Sequence, residues 1–358
     1  MKKRGISFLL AVGAMLAVTG CGSEKTKESA VADDTQAVSE ETAATEEAAA
    51  SEATETGFPL TVSHAYGETT VKEKPERVVS LAWSNQDVVL ALGIVPVGTS
   101  AANFGAVGDN GLLPWTEEAY EALGESNPVV YDDTDGFDYE AIADAAPDII
   151  VAAYSGMTQE EYDTLSQIAP VVPYKETAWT TTWREQTMEI AGALGMEQEG
   201  QRLVEEAEAT LKEVQEAHQE VVGKTAALFW IDPTDLGTFY AYTPTDPRGS
   251  YLEDLGFVFP ETLKALDDGS SFSITMSSEN IDVLSDVDII IAYGDEETLA
   301  AMQNDPLFAQ VPAVANGNVV LLDATSELAA ACNPSVLSIP AMAEKYMAQI
   351  DETYTNVE

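Results

Sequence analysis

Aromatic side chains at the ends of apolar runs, joined by one arginine, are the residues of this sequence best suited to recognising a ligand. Trp83 follows the run at 78–81, Tyr154 follows 149–152, and Tyr174 and Trp179 follow 171–172. In the second half Tyr240, Tyr242 and Tyr293 lie at similar positions, and Arg248 stands in Thr245-Asp246-Pro247-Arg248-Gly249-Ser250 just before a helix. Open α/β sheets bind ligands outside the carboxyl ends of their strands. The alternative for each aromatic is packing in its own core, and Trp230, inside a run at 226–231, is read that way. An arginine is rarely buried without a partner, which favours a place for Arg248 at a cleft.

Catalytic constellations are missing from this pattern. The two histidines, His64 in an opening strand and His218 at the end of a long helix, are not placed as paired metal ligands or as the base of a triad. There is no Gly-rich phosphate loop, no Gly-x-Ser-x-Gly elbow and no cluster of Cys with His. No catalytic residue, metal site or cofactor is therefore assigned.

The elements that must position these residues alternate between strand and helix. A hairpin at 60–71 precedes short buried strands at 78–81, 95–98, 129–130, 149–152 and 171–172, with helices such as 139–145 and 159–168 between them. From 184 to 222 the rhythm stops. Leu203, Val204, Ala207, Leu211, Val214 and Ala217 mark one face of a helix, and Gly192, Gly195 and Gly200 suggest a break before it. Strands at 226–231, 239–242, 289–292 and 319–322 follow, with a final helix at 335–350. Strands separated by helices imply parallel βα units. The halves share a phrase, because Glu140 leads to Asp148-Ile149-Ile150 and Glu279 leads to Asp288-Ile289-Ile290. The expected architecture is α/β and duplicated, with one half at 57–183, the other at 223–358 and a helical stretch at 184–222 long enough to bridge them.

The chain has 358 residues and 62 acids against 16 bases, a formal charge of −46. Residues 1–56 hold 10 acids and 5 bases, so 57–358 carry −41. Such a surface repels phosphate backbones, which excludes nucleic acid as a partner. Lys2, Lys3 and Arg4 followed by an apolar run at 6–18 form a signal peptide at 1–20, too short to span a membrane. Val18-Thr19-Gly20-Cys21 resembles the lipobox of bacterial lipoproteins, in which the cysteine is acylated and becomes the mature N-terminus. Residues 21–56 then form a lipidated cysteine and an acidic tether without aromatic, Leu or Ile side chains. With Cys21 in the anchor, Cys332 has no partner for a disulfide.

Several phrases in order, Pro75-Glu76-Arg77-Val78-Val79-Ser80-Leu81, the stretch 140–150, the Asp246-Pro247-Arg248-Gly249 turn, and Asp305-Pro306-Leu307-Phe308 with Pro312-Ala313-Val314, resemble the iron-siderophore substrate-binding proteins of ABC importers. The resemblance implies a monomeric, lipid-anchored protein on the outer face of the cell membrane. It would capture a ferric siderophore and deliver it to an ABC permease and its ATPase, with haem or cobalamin as alternative cargo. It implies two Rossmann-like lobes joined by one bridging helix with a ligand cleft between them, and permease docking through Glu140 and Glu279; the strand-end aromatics Trp83, Tyr154, Trp179, Tyr240 and Tyr242, with Arg248, are assigned to that cleft. A secreted hydrolase acting at the cell wall is the alternative from another class, and it lacks a nucleophile with a placed base. Arg248, with Lys175 and Arg184 as additional bases, is too little positive charge for a trianionic ferric tricatecholate, so a hydroxamate-like or mixed siderophore is expected. Stable anchoring needs two or more acyl chains, so Cys21→Ser should release the protein from the membrane fraction. Immunoblots of fractionated cells showing the variant still fully membrane-bound would exclude Cys21 as the anchor.

Overall fold

The computed structural model describes residues 57–269 and 271–355. The signal segment, Cys21 and the tether lie outside the described residues. The hairpin forms as expected from β1 (Leu60–His64) and β2 (Gly67–Val71). His64 is buried within it, its Nε2 3.0 Å from Thr69 Oγ1, which gives it a structural role.

The first lobe is a parallel sheet of β3 (Val78–Ser80), β4 (Gly98–Ser100), β5 (Val130–Tyr131), β6 (Ile149–Ala152) and β7 (Val171–Pro173) in the order β5-β4-β3-β6-β7. Its helices are α1 (Asn85–Ala91), α2 (Pro114–Ala122), α3 (Tyr139–Asp144) and α4 (Gln159–Leu165). Every residue of β6 is buried, as strands covered on both faces require. Gly93, at φ 81°, lies just beyond α1 and suits the left-handed turn that ends a helix. The fourth strand sits slightly later than the apolar run at 95–98 suggested, because the pairing is made by Gly98, Thr99 and Ser100.

The second lobe holds β8 (Ala226–Ile231), β9 (Thr238–Tyr242), β10 (Ser273–Ser277), β11 (Ile289–Tyr293) and β12 (Val319–Leu322) in the order β10-β9-β8-β11-β12. β8, β11 and β12 are parallel, but β9 and β10 form antiparallel pairs, a departure from an all-parallel expectation. The repeated phrase has the same use in both lobes. Asp148 accepts from the backbone of Glu76 and Arg77 just ahead of β3, and Asp288 accepts from the Thr225 backbone just ahead of β8. Each aspartate therefore ties the strand it leads to the start of the neighbouring central strand.

The stretch read as one bridging helix contains two. α5 (Trp183–Ala193) packs on α1 and the hairpin and belongs with the first lobe. Gly195, at φ 67° and too close to the Phe58 ring for a Cβ, marks the break. α6 (Glu197–Ala217) follows, and its 21 residues reach about 30 Å. Val204, Ala207, Leu211 and Val214 bury one face of it. The second lobe continues with α7 (Pro247–Asp254), α8 (Glu261–Lys264), α9 (Glu296–Asn304), α10 (Pro312–Asn316), α11 (Glu327–Ala331) and α12 (Ser338–Thr355), the last packed along α6. His218, just past α6, is held to α12 by Asp351 and Glu344 at 2.8 and 3.1 Å.

Two polar knots and an apolar seam join the lobes directly. Asp254 at the end of α7 accepts from Trp183 Nε1 at 2.8 Å and from Arg184 Nη1, while Gln215 of α6 donates to its carbonyl. Leu113 and Trp115 of the first lobe pack with Ala330, Ala331 and Met342 of the second. Within this region Asp87 of α1, fully buried, accepts from Trp115 Nε1 at 3.0 Å, Thr116 Oγ1 at 2.7 Å and Ser335 Oγ at 2.6 Å. Burial outweighs these donors and raises its pKa from 3.8 to about 6. A carboxyl raised in the fold contributes stability that is complete below pH 3.8 and lost as the pH rises through about 6. The stability of wild type relative to Asp87→Asn should therefore fall by on the order of 3 kcal/mol between pH 4 and pH 7. Urea denaturation across that range checks this, and a flat difference would show that Asp87 titrates normally.

Candidate functional site: an aromatic cleft between the lobes

The chain turns sharply after β3. Ala82 (φ 64°) and Ser84 (φ 55°) lie in the left-handed region, a costly conformation that surrounding contacts must impose. Asn85 imposes it. Its Nδ2 donates to the carbonyls of Leu81 at 2.7 Å and Tyr154 at 2.9 Å, and its Oδ1 accepts from Tyr154 N and from Gln186 Nε2. These bonds bridge the segments after β3 and β6, where the strand order reverses and α/β sheets bind ligands.

Trp83 is presented by that turn beside the interlobe seam, and its Nε1 is buried with no hydrogen-bond partner among the described residues. Tyr154 is 4% exposed and forms floor rather than wall. Its hydroxyl accepts from Asn333 Nδ2 of the second lobe at 3.1 Å, and its ring meets Trp179 edge-on at 5.2 Å. Trp179, at φ 63° and 38% exposed, lies over Gly156, where an added Cβ would come within 2.2 Å of its Nε1. Glycine is needed at 156 to let the indole lie down.

The second lobe supplies the facing surface. Trp230 pairs with Tyr240 across β8 and β9, and Tyr293 at the end of β11 is 5.8 Å from Trp230 ring to ring. Side chains alternate along strands, so Phe229, Phe239 and Ala241 enter the core while Trp230, Tyr240 and Tyr242 share the other face. Trp230 is 43% exposed, which corrects its reading as a core residue. Phe104, on the connection after β4, meets Tyr293 edge-on at 5.2 Å, and Gly105 N donates to Ala324 O. That connection carries the first lobe onto the second beside the aromatic row.

Arg248 lies over the Tyr242 ring, 3.9 Å from its centroid, with a side chain 19% exposed. Asp246 fixes it from behind. Arg248 Nε donates to Oδ1 at 2.7 Å and Nη2 to Oδ2 at 2.6 Å, while Oδ1 also accepts the Arg248 backbone N–H at the start of α7. Gly249 permits this tight turn, because a Cβ there would lie 2.1 Å from the Thr243 carbonyl oxygen. The Asp246 charge keeps the guanidinium protonated well beyond its ordinary range. Burial pushes up the phenols of Tyr154, Tyr242 and Tyr293 and moves the Cys332 thiol to about 11, so all four are neutral at pH 7. Cys332 is a free, buried thiol bonded to Tyr293 Oη.

Of the residues expected at a ligand site, Tyr154 meets Trp179 and Arg248 stacks on Tyr242, while Trp83 lies beside the interlobe seam and Tyr240 shares a strand face with Tyr242. Arg184, considered as a further cleft base, is withdrawn onto Asp254 and Glu208. Glu140 in the first turn of α3 and Glu279 at the start of a 3-10 helix (Ser278–Leu284) are both exposed and apart from this group. Asn85, Gln186, Asn333 and Phe104 were not legible as site residues, although the polar run 84–87 beside an apolar strand hinted at buried hydrogen bonding. Among the described residues no three His, Cys, Asp or Glu side chains are grouped to hold a metal ion. Aromatic faces with one oriented guanidinium suit a bulky ligand that carries exposed oxygen acceptors.

Solved and curated proteins share this framework. PiaA of Streptococcus pneumoniae TIGR4, solved in complex with ferrichrome, superposes with a TM-score of 0.80 at 44% identity, covering 83% of this chain and 99% of that one. The ferric enterobactin-binding periplasmic protein FepB of Escherichia coli O6:H1 is 24% identical over 284 residues, 74% of this chain and 84% of FepB. The siderophore-binding lipoprotein YfiY of Bacillus subtilis, so described as probable, is 25% identical over 236 residues, 65% of this chain and 67% of its own. Residues 78–325 match the periplasmic binding protein family throughout both sheets, and the chain belongs to that family.

Proposed function

We propose that this protein is the extracytoplasmic substrate-binding component of an ABC importer, held to the membrane through Cys21, and that its cargo is an electroneutral ferric siderophore of the hydroxamate class. The observation that carries this reading is the set of aromatic faces from both lobes, Tyr154 with Trp179 and Trp230 with Tyr293, together with a single guanidinium stacked on Tyr242 and matched by Asp246. A ferric trihydroxamate is a neutral chelate with its oxygens at the surface, so one charge-assisted donor and several ring faces complement it. A tricatecholate trianion calls for several cations. PiaA, whose structure contains ferrichrome, supports the hydroxamate class, and YfiY, a lipoprotein, supports the anchor. Neither a haem or cobalamin cargo nor a hydrolase is favoured by these relatives.

Titration of intrinsic tryptophan fluorescence with ferrichrome, ferric enterobactin, haem and cobalamin tests the cargo. Ferrichrome should bind tightest, and preference for any other member of the set would displace the hydroxamate reading. Arg248→Ala, shown by circular dichroism to be folded, should bind ferrichrome about ten- to a hundredfold more weakly, a loss of about 1.5 to 3 kcal/mol.

Glu140 and Glu279 are assigned to the permease. They recur at matching places in the two lobes, each exposed. A helix-start carboxylate favoured by the macrodipole explains either one but not their recurrence. Charge reversal at both should abolish siderophore uptake in cells and leave ferrichrome affinity in solution unchanged, since charges facing a partner act on association with it. Normal uptake by the double Glu→Arg variant would remove the assignment.

A further inference from the structure

We propose that Asp246 determines the charge class of the cargo: by pairing with Arg248 from behind, it leaves the cleft with an oriented donor but no net positive charge, and so excludes anionic iron chelates. The inference rests on the reading of the cleft as a ferric siderophore site and concerns which siderophores it admits.

Three observations converge on Asp246. It is fully buried, and its two oxygens hold Nε and Nη2 of Arg248 in a fork at 2.7 and 2.6 Å. The Tyr242 ring covers one face of the guanidinium, and the bonds to Asp246 use Nε and Nη2 rather than Nη1. The charged groups felt by Tyr154, Tyr242 and Cys332 are this arginine and this aspartate. An arginine alone in a partly desolvated cleft would draw any anion strongly. Paired with a carboxylate, it becomes a dipole whose field falls off steeply, while it still offers hydrogen bonds to neutral oxygens. The surrounding −41 body then adds repulsion that no local cation offsets for an anionic chelate. Binding of a neutral chelate loses little from either effect.

Asp246→Asn separates the charge from the shape. Asparagine caps helices as well as aspartate, so its Oδ1 can keep the bond to the Arg248 backbone N–H. Its amide cannot accept from Nη2, so the Arg248 charge is left without its counter-ion. The probes are ferrichrome, which is neutral, and ferric dicitrate, which is anionic and small enough that size does not decide the result. Affinities measured by tryptophan quenching in wild type should favour ferrichrome. In Asp246→Asn the ratio should shift toward ferric dicitrate by about tenfold or more, and that gain should fade as salt is raised. The double variant Asp246→Asn with Arg248→Gln, in which both charges are gone, should bind both probes more weakly yet return to the wild-type ratio.

An unchanged ratio in a folded Asp246→Asn protein overturns the role of Asp246 while leaving the siderophore reading intact. Should that variant not fold, wild type decides. Equal or tighter binding of ferric dicitrate than of ferrichrome overturns the inference, whereas a strong preference for ferrichrome that narrows as salt is raised supports it. Failure of wild type to bind any ferric chelate overturns the proposed function and the inference together.

Discussion

Four consecutive polar residues, Ser84 to Asp87, are buried where the two lobes meet, and the need to satisfy them organises the structure around the cleft. A buried polar group without a partner costs on the order of 1–3 kcal/mol, and a buried charge costs more. Asn85 meets that demand by tying the segments after β3 and β6 together, which sets the backbone of Trp83 and Tyr154. Asp87, two residues on, meets it by collecting donors from α2 and from Ser335 across the lobe boundary. One turn of helix thus aligns the switch point of the first sheet and fastens the second lobe to it. Loss of either partner set would leave buried polar groups uncompensated.

This fastening bears on how the protein works as a carrier. The apolar seam of Leu113 and Trp115 against Ala330, Ala331 and Met342 is reinforced at one side by Asp87 and at another by the Asp254 knot with Trp183 and Arg184. Wide separation of the lobes would break all of these contacts together. The cleft is consequently largely formed before cargo arrives, which reduces the ordering cost of binding. Its most exposed rings are the indoles Trp179 and Trp230, one from each lobe.

The electrostatics of the cleft differ from those of the molecule as a whole. The chain carries −46, yet the cleft floor consists of neutral phenols, a neutral thiol and an internally matched ion pair. An acidic exterior and a neutral floor are compatible because exposed charges are screened over about 8–10 Å in physiological salt, while a buried pair acts at contact.

The sequence by itself determined most of the elements and their succession along the chain. Fully buried strands such as β6 and β11 announce themselves as continuous apolar runs bounded by helices, and the repeated Asp-led phrase marks the equivalent strand in each lobe, because both properties are local in the chain. Tyr242 and Arg248 were legible for the same reason, lying close together around a turn rich in Pro and Gly. Only tertiary structure decided the rest. Trp230 has the composition of a core residue, and its exposure depends on which part of the β8 face the neighbouring helices leave uncovered. Arg184 was as available as Arg248 by composition, but folding brought it to Asp254, 70 residues away. Phe104, Asn85 and Asn333 join the site through contacts between segments distant in sequence, and no periodicity encodes such contacts. Local pattern specifies elements, whereas the pairing of charges and the exposure of rings follow from how those elements meet.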